Sequence, residues 1–229
     1  MAIDILAIGA HADDIEIGAG GTLLKHQQKG STIALCDLTL AELSSNGDVQ
    51  TRLKEAEQAR NLLGAVERIQ LELGDRNLFV GNDLIRPLVQ LIRRLKPKVI
   101  FAPYWHDRHP DHEHCSRLVR EAVFSAGIRK YASETGAAHK VESVFYYFIN
   151  DFVEPDFCID VSGVYEQKME ALKCYESQFV PADGTVTTPL NTGYFEQIRS
   201  REYLFGRKIN ARFAEGFKTR NPIAINYLI

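Results

Sequence analysis

The chain has no basic surplus, few sulfur atoms and no long apolar run, and each shortage removes a class of protein. Lys and Arg number 27 against 30 Asp and Glu, a formal net charge of −3. A sequence-independent nucleic-acid binder carries a basic stripe, and an acidic solvating chain carries far more charge of one sign; neither is expected. No apolar run approaches the roughly 18 residues of a membrane span; the nearest is Val144–Ile149. Met1–Asp4 leads into an apolar segment without a basic stretch, so no secretory leader is expected. Cys36, Cys115, Cys158 and Cys174 lie far apart with no C-x-x-C, which predicts reduced thiols in a cytoplasmic protein. The absence of G-x-S-x-G argues against a serine hydrolase. With 229 residues, 45% of them hydrophobic, the chain can bury a core unaided. Any metal is therefore expected to serve chemistry before stability.

What is present alternates between two periods. Ile3–Gly9 is a short, nearly continuous apolar run, as in a strand buried on both faces of a parallel sheet. A helical pattern follows over Asp14–Lys29, closed by Gly30, then a second strand at Thr32–Leu38. Glu42–Asp48 reads as a loop, Val49–Leu63 as an amphipathic helix ending at Gly64, and Ile69–Leu73 as a strand. The next helix is Asp83–Leu95, the next strand Lys98–Pro103, and His109-Pro-Asp-His112 opens a helix that runs to about Ser125. Later, Val141–Phe148 and Phe157–Val161 look like strands, and Val164–Ser177 and Glu196–Lys208 like helices. Alternation of this kind predicts β-α-β units. The expected fold is α/β: a single Rossmann-like domain over 1–229, its mostly parallel sheet flanked by helices, with a C-terminal elaboration.

Ligands of such sheets bind at the carboxyl ends of the strands, and two of those ends carry unusual residues. His11-Ala-Asp13-Asp14 follows the first strand. His106-Asp-Arg-His109-Pro-Asp111-His112-Glu-His114 follows the Lys98–Pro103 strand and holds four of the seven histidines. His and Asp are zinc ligands, and a catalytic site takes three of them plus a water. His11 and Asp14, three apart at a helix start, need one ligand more; spacing alone leaves His109, Asp111, His112 and His114 open. Asp13, beside a ligand but directed elsewhere, suits a general base. Pro110 fits the first helical turn, where its missing N–H is no loss. Taken singly, an Asp pair at a helix start is more often a cap, and an H-x-x-H is more often surface histidine. Two such motifs at two strand ends favour a metal site.

Gly18-Ala-Gly20-Gly21 suggests a dinucleotide turn, but carboxylates occupy the place of the pyrophosphate and would repel it. A nucleotide-binding oxidoreductase is thus the weaker alternative, and close helix–sheet packing accounts for the glycines. The basic group Arg86, Arg93, Arg94, Lys96 and Lys98 complements a helix dipole. Arg199–Arg220, with acidic residues interleaved, is expected to be a solvated face or a subunit contact.

His11-Ala-Asp-Asp14 and His109-Pro-Asp-His112 resemble the paired motifs of the zinc-dependent LmbE/PIG-L de-N-acetylases. The resemblance extends through Leu43-Ser-Ser-Asn-Gly47, Arg52, Phe124–Lys130 and Tyr175–Phe179, over nearly the whole chain. The chain looks most like the bacillithiol-biosynthesis deacetylases, which act on N-acetylglucosaminyl malate; relatives deacetylate chitooligosaccharides and other acetamidosugars. The resemblance implies one Zn2+ per chain, with Fe2+ as the alternative ion, held by His11, Asp14 and His112. It makes Asp13 the general base and gives His109, protonated and oriented by Asp111, the substrate carbonyl. It also implies a homo-oligomer, often hexameric, with no nucleic-acid or membrane partner. The wider family has Pro where this chain has Ala12, a departure that loosens the loop and leaves each reacting group in place. Arg52 lies in the first turn of a helix, against the dipole's preference. That placement makes it the first candidate for a malate carboxylate, with Arg108, Lys140 and Tyr194 as further substrate-binding candidates.

Overall fold

A computed structural model describes residues 3–224, so the leader reading at Met1 and Ala2 lies outside the described residues. Five strands are parallel in the order β3-β2-β1-β4-β5: β1 Ile5–Gly9, β2 Ile33–Asp37, β3 Glu67–Gln70, β4 Val99–Pro103 and β5 Ser143–Tyr147. The sheet continues through β7, Ala214–Lys218, to β6, Phe157–Asp160; β7 is antiparallel to both its neighbours. β1 is buried along its whole length, as its unbroken apolar run requires. Helices α1 (Asp14–Gln28), α2 (Val49–Leu63), α3 (Asn82–Leu95) and α4 (Pro110–Ala126) join the parallel strands. α5 (Tyr165–Lys173), α6 (Glu176–Phe179) and α7 (Tyr194–Lys208) form the C-terminal elaboration. The mostly parallel α/β architecture is the one the sequence predicts.

From β1 the chain steps outward through β2 and β3, then returns past β1 to β4 on its other side. The crevice beyond the carboxyl ends of β1 and β4 is thus the topological switch point. Both histidine motifs follow these two strands. The ends of the intervening helices are set locally. Asp48 caps α2 by accepting from the Thr51 amide at 2.7 Å, and Gly64 closes it at φ 65°, so the predicted and observed bounds coincide. The glycines of α1 pack as expected: a Cβ on Gly18 would lie 2.1 Å from Cδ2 of Tyr147 on β5.

Three predicted elements differ. β3 covers Glu67–Gln70 instead of Ile69–Leu73, because Arg68 is a sheet residue whose charge is neutralised internally. Its guanidinium donates to Asp37 at 2.7 and 2.8 Å and to Glu16 at 2.6 Å. The helix expected over Val164–Ser177 breaks after Lys173, where Tyr175 turns fully inward and its hydroxyl donates to Glu16 Oε1 at 3.0 Å. Arg199–Arg220 is not a solvated face, since it contains the internal strand β7 and the buried Arg201, Glu202 and Glu215. Glu215 accepts from the Gly21 and Thr22 amides at 2.8 and 2.7 Å, and from Lys168 at 2.6 Å.

Lys168 is fully buried, bonded also to Glu202 and to the Ile17 carbonyl. It ties α5 to α1, α7 and β7. Removing one member of a buried ion network strands the others. Lys168→Met is therefore expected to lower unfolding free energy by about 3–5 kcal/mol. Urea denaturation checks this, and a midpoint within error of wild type would refute it.

Candidate active site

The turn after β1 is unusual. Asp13 has φ 111°, ψ −28°, and makes no side-chain bond to the helix it precedes. Asp14, the next residue, faces back: its Oδ2 accepts from the Ala10 and His11 amides, each at 2.9 Å. Its Oδ1 points the other way, 3.1 Å from Nε2 of His112. The other nitrogen of His112, Nδ1, is held by Asp107 Oδ1 at 2.9 Å. On the other side, Nε2 of His11 is held by Asp75 Oδ1 at 3.2 Å, and its Nδ1 lies 3.7 Å from Asp14 Oδ2.

Each histidine is thus gripped by a carboxylate through one nitrogen and presents the other to Asp14. This is how histidine ligands are held in metal sites, where an outer carboxylate fixes ring and tautomer. The donor set fits a divalent ion of the zinc type. His11, His109 and His112 also bring ring nitrogens within 4.8 Å of one another. A second grouping, His11 with Asp75 and Asp111, shares the His11 ring. There Arg76 Nη1 stands 2.9 Å from Asp111 Oδ1 and already supplies the positive charge.

The charges follow from burial and proximity. Burial pushes the Asp13 carboxyl up to about 6, with the Asp14 charge adding and Arg52 opposing. Asp14 is also buried, but His112 and His11 hold its carboxyl well below the usual range. Burial works against charge on the two histidines, yet Asp111 and Asp75 push His11 up to about 10, and Asp14 and Asp107 push His112 up to about 9.

His109 behaves oppositely. Burial, with His112 and His11 alongside, brings it down to about 4. Its Nδ1 accepts the Asp111 amide at 3.2 Å, so the neutral ring carries its proton on Nε2. This corrects the expectation that the Asp111 carboxylate orients His109. The Asp111 side chain turns away, accepting from Arg76 N at 2.7 Å and lying 3.6 Å from His11 Nε2. Only its backbone N–H orients His109, because a helix-capping residue faces the amides of its own first turn.

His11, Asp13, Asp14, His109 and His112 line a cavity of about 330 Å3, whose wall also includes Leu43, Pro189 and Leu190. The chain matches a known family over residues 6–123, just over half its length: PIG-L, GlcNAc-PI de-N-acetylase. The chain belongs to the PIG-L family. Protein TT1542 from Thermus thermophilus, a solved structure, is 33% identical and covers 97% of both chains at a TM-score of 0.89. Diacetylchitobiose deacetylase of Thermococcus kodakarensis is 28% identical over 93% of this chain and 82% of its own. A probable N-acetyl-α-D-glucosaminyl L-malate deacetylase of Bacillus anthracis is 26% identical over 85% and 88%.

Within this PIG-L site the substrate-binding candidates separate. Arg108 is exposed on the cavity wall and donates to Asn150 Oδ1 at 3.0 Å. Tyr194 is buried at the wall, its hydroxyl 3.1 Å from both the Ile149 carbonyl and Asn150 Oδ1. Lys140 does not join them. It is exposed just before β5, and in a parallel sheet that is the amino edge, opposite the cavity. Arg52 does lie at the cavity, but only 2% exposed, with its Nη2 on Asp13 and the Ala12 carbonyl. It is therefore no free grip for a substrate carboxylate.

Sequence reasoning passed over Asp75, Arg76, Asp107 and Asn150. Asp107 stands inside the histidine-rich string, and Asp75 and Asn150 follow the carboxyl ends of β3 and β5. The positional rule that singled out the two histidine motifs applies to these as well.

Proposed function

We propose that the protein hydrolyses the acetamide of a small N-acetylglucosaminyl conjugate, releasing acetate and a free amine. The observation that carries this is the division of labour at one turn: Asp14 faces the two histidines, while adjacent Asp13 faces the cavity. A closed structural metal site has no use for a spare carboxylate. His11, Asp14 and His112 would hold one divalent ion, Zn2+ in this reading with Fe2+ as the alternative. Such an ion, when bound, supplies Lewis-acid polarisation and lowers the pKa of water. Asp13 takes the proton of the attacking water and returns one to the leaving nitrogen. His109, neutral, donates from Nε2 to the developing oxyanion. Asp107 and Asp75 hold the His112 and His11 rings in register.

If His109 serves the oxyanion, it acts beyond the ground state. His109→Ala is then expected to lower kcat about 100-fold or more with little change in KM. Steady-state kinetics checks this; a raised KM with intact kcat would move His109 to substrate binding.

N-acetylglucosaminyl malate is the proposed substrate. The Bacillus relative supports it, and so does the exposed guanidinium of Arg108, which suits a malate carboxylate. The Thermococcus relative supports a second reading, a chitooligosaccharide, which has no carboxylate. Amine release from N-acetylglucosaminyl malate, diacetylchitobiose and free N-acetylglucosamine separates the two. In the first reading Arg108→Ala lowers kcat/KM for the malate conjugate by about 10- to 100-fold and spares the other sugars. Equal effects on all three substrates would leave the malate assignment without support. The same reading includes a cytoplasmic homo-oligomer, hexameric by resemblance, over a single 1–229 domain. Among the described residues no helix is long and apolar enough to cross a membrane.

A further inference from the structure

Arg52 sits in the first turn of α2, where the helix dipole disfavours a cation. It is nevertheless almost fully buried. Among the described residues its Nε and Nη1 find no hydrogen-bond partner, a costly state for a guanidinium. A residue placed against burial, dipole and hydrogen bonding together has a reason elsewhere.

Its surroundings supply one. Nη2 reaches both the Ala12 carbonyl and, at 3.1 Å, the Asp13 carboxylate, so one nitrogen spans the turn between His11 and Asp14. The guanidinium carbon lies 5.5 Å over the ring of buried Tyr175. Tyr175 is anchored on Glu16, Glu16 on Arg68, and Arg68 on Asp37, all in the interior. The guanidinium rests on a fixed floor.

The turn it grips is one that would not hold itself. Asp13 occupies the N-cap position of α1 at φ 111°, a region L-residues rarely adopt. An aspartate there ordinarily takes an extended φ and accepts from the second or third amide of its helix. Asp13 does neither.

We propose that Arg52 is a positioning residue: its grip on the Ala12 carbonyl and the Asp13 carboxylate keeps Asp13 from capping α1 and turned to the cavity. This rests on the reading of Asp13 as the base. Without Arg52 the favoured state is the ordinary cap, with the carboxylate on the Ile15 or Glu16 amide.

The test is Arg52→Met, of similar length and uncharged, with Arg52→Lys beside it, each alone and combined with Asp13→Asn. A crystal structure of Arg52→Met should show Asp13 at negative φ with its carboxylate on the helix amides. Asp13 unmoved at φ near 111° would overturn the proposal, whatever the activity. In kinetics, Arg52→Met should lose about 100-fold in kcat, the scale of a misplaced catalytic group, with metal content and KM close to wild type. Arg52→Lys should recover part of that. In the Asp13→Asn background Arg52→Met should cost nothing further; an undiminished second loss would assign Arg52 a role independent of Asp13. If Arg52→Met does not fold, Arg52→Lys carries the same crystallographic and double-mutant readouts. Should Asp13→Asn alone cost nothing, the base assignment fails, while the crystallographic arm still decides what Arg52 holds.

Discussion

Asp13→Asn is expected to lower kcat about 10²–10⁴-fold, the usual worth of a general base, and to leave bound metal unchanged. Asparagine keeps the shape and can still accept from Arg52, so the turn should survive; it cannot take a proton. The carboxyl itself is poised for proton transfer. Burial and the neighbouring Asp14 push it up to about 6 against the pull of Arg52. The working form is the ionised one, so kcat/KM should rise with pH through the folded pKa and fall below it. A cation at Asp14 stabilises that ionised form, so the acid limb is expected at or below about pH 6. Two measurements check this: kcat with metal content for the mutant, and the pH profile of wild type. Loss of metal in Asp13→Asn with retention in Asp14→Asn would exchange the roles of the two aspartates.

His112→Ala is expected to abolish metal binding and activity together and to leave the fold intact. His112 presents Nε2 to Asp14 while Asp107 holds its other nitrogen. Alanine deletes that donor and leaves Asp14 and His11 as a two-ligand site. The core does not depend on it: β1, β2 and β4 are buried along nearly their whole lengths by their own side chains. Metal analysis with far-UV circular dichroism distinguishes a lost ligand from a lost fold. Full metal with full activity in His112→Ala would remove His112 from the ligand set. Proton release gives an independent readout. The carboxylates around them push His11 and His112 up to about 10 and about 9, and a metal takes the neutral ring. Binding near pH 7 should therefore release about two protons, and affinity should weaken as pH falls. Calorimetry in buffers of different ionisation enthalpy reads that number.

The parallel α/β layout, the bounds of α2 and the pairing of two histidine motifs at two strand ends were legible along the chain. Each rests on local information: hydrophobic period, a capping Asp48, a closing Gly64, a proline in a first turn. That the His11 turn and the histidine-rich string face one crevice followed from the rule about strand carboxyl ends; which residue of the string joins His11 did not, and His112 came from the family resemblance alone. The strand β7 was not legible, because Glu215 and Lys218 break its apolar pattern. Only the tertiary structure supplies Lys168 to neutralise Glu215. β3 was displaced for the same reason at Arg68, whose partners Asp37 and Glu16 are 31 and 52 residues away.

At the site the division is similar. Which residue types could bind a metal or take a proton was written in His11, Asp13, Asp14, His109 and His112. Which nitrogen each histidine offers depends on Asp75 and Asp107, and a carboxylate 64 residues away leaves no mark on local pattern. The same holds for the lowered pKa of His109, for Asp111 turning to Arg76, for Lys140 at the far edge of the sheet, and for Arg52 bound inward to Asp13. Sequence determined the chemical inventory and the strand ends that carry it, because those are set by nearest neighbours and periodicity. Tertiary structure decided direction and charge, because both are set by burial and by partners that only the fold brings within hydrogen-bond reach.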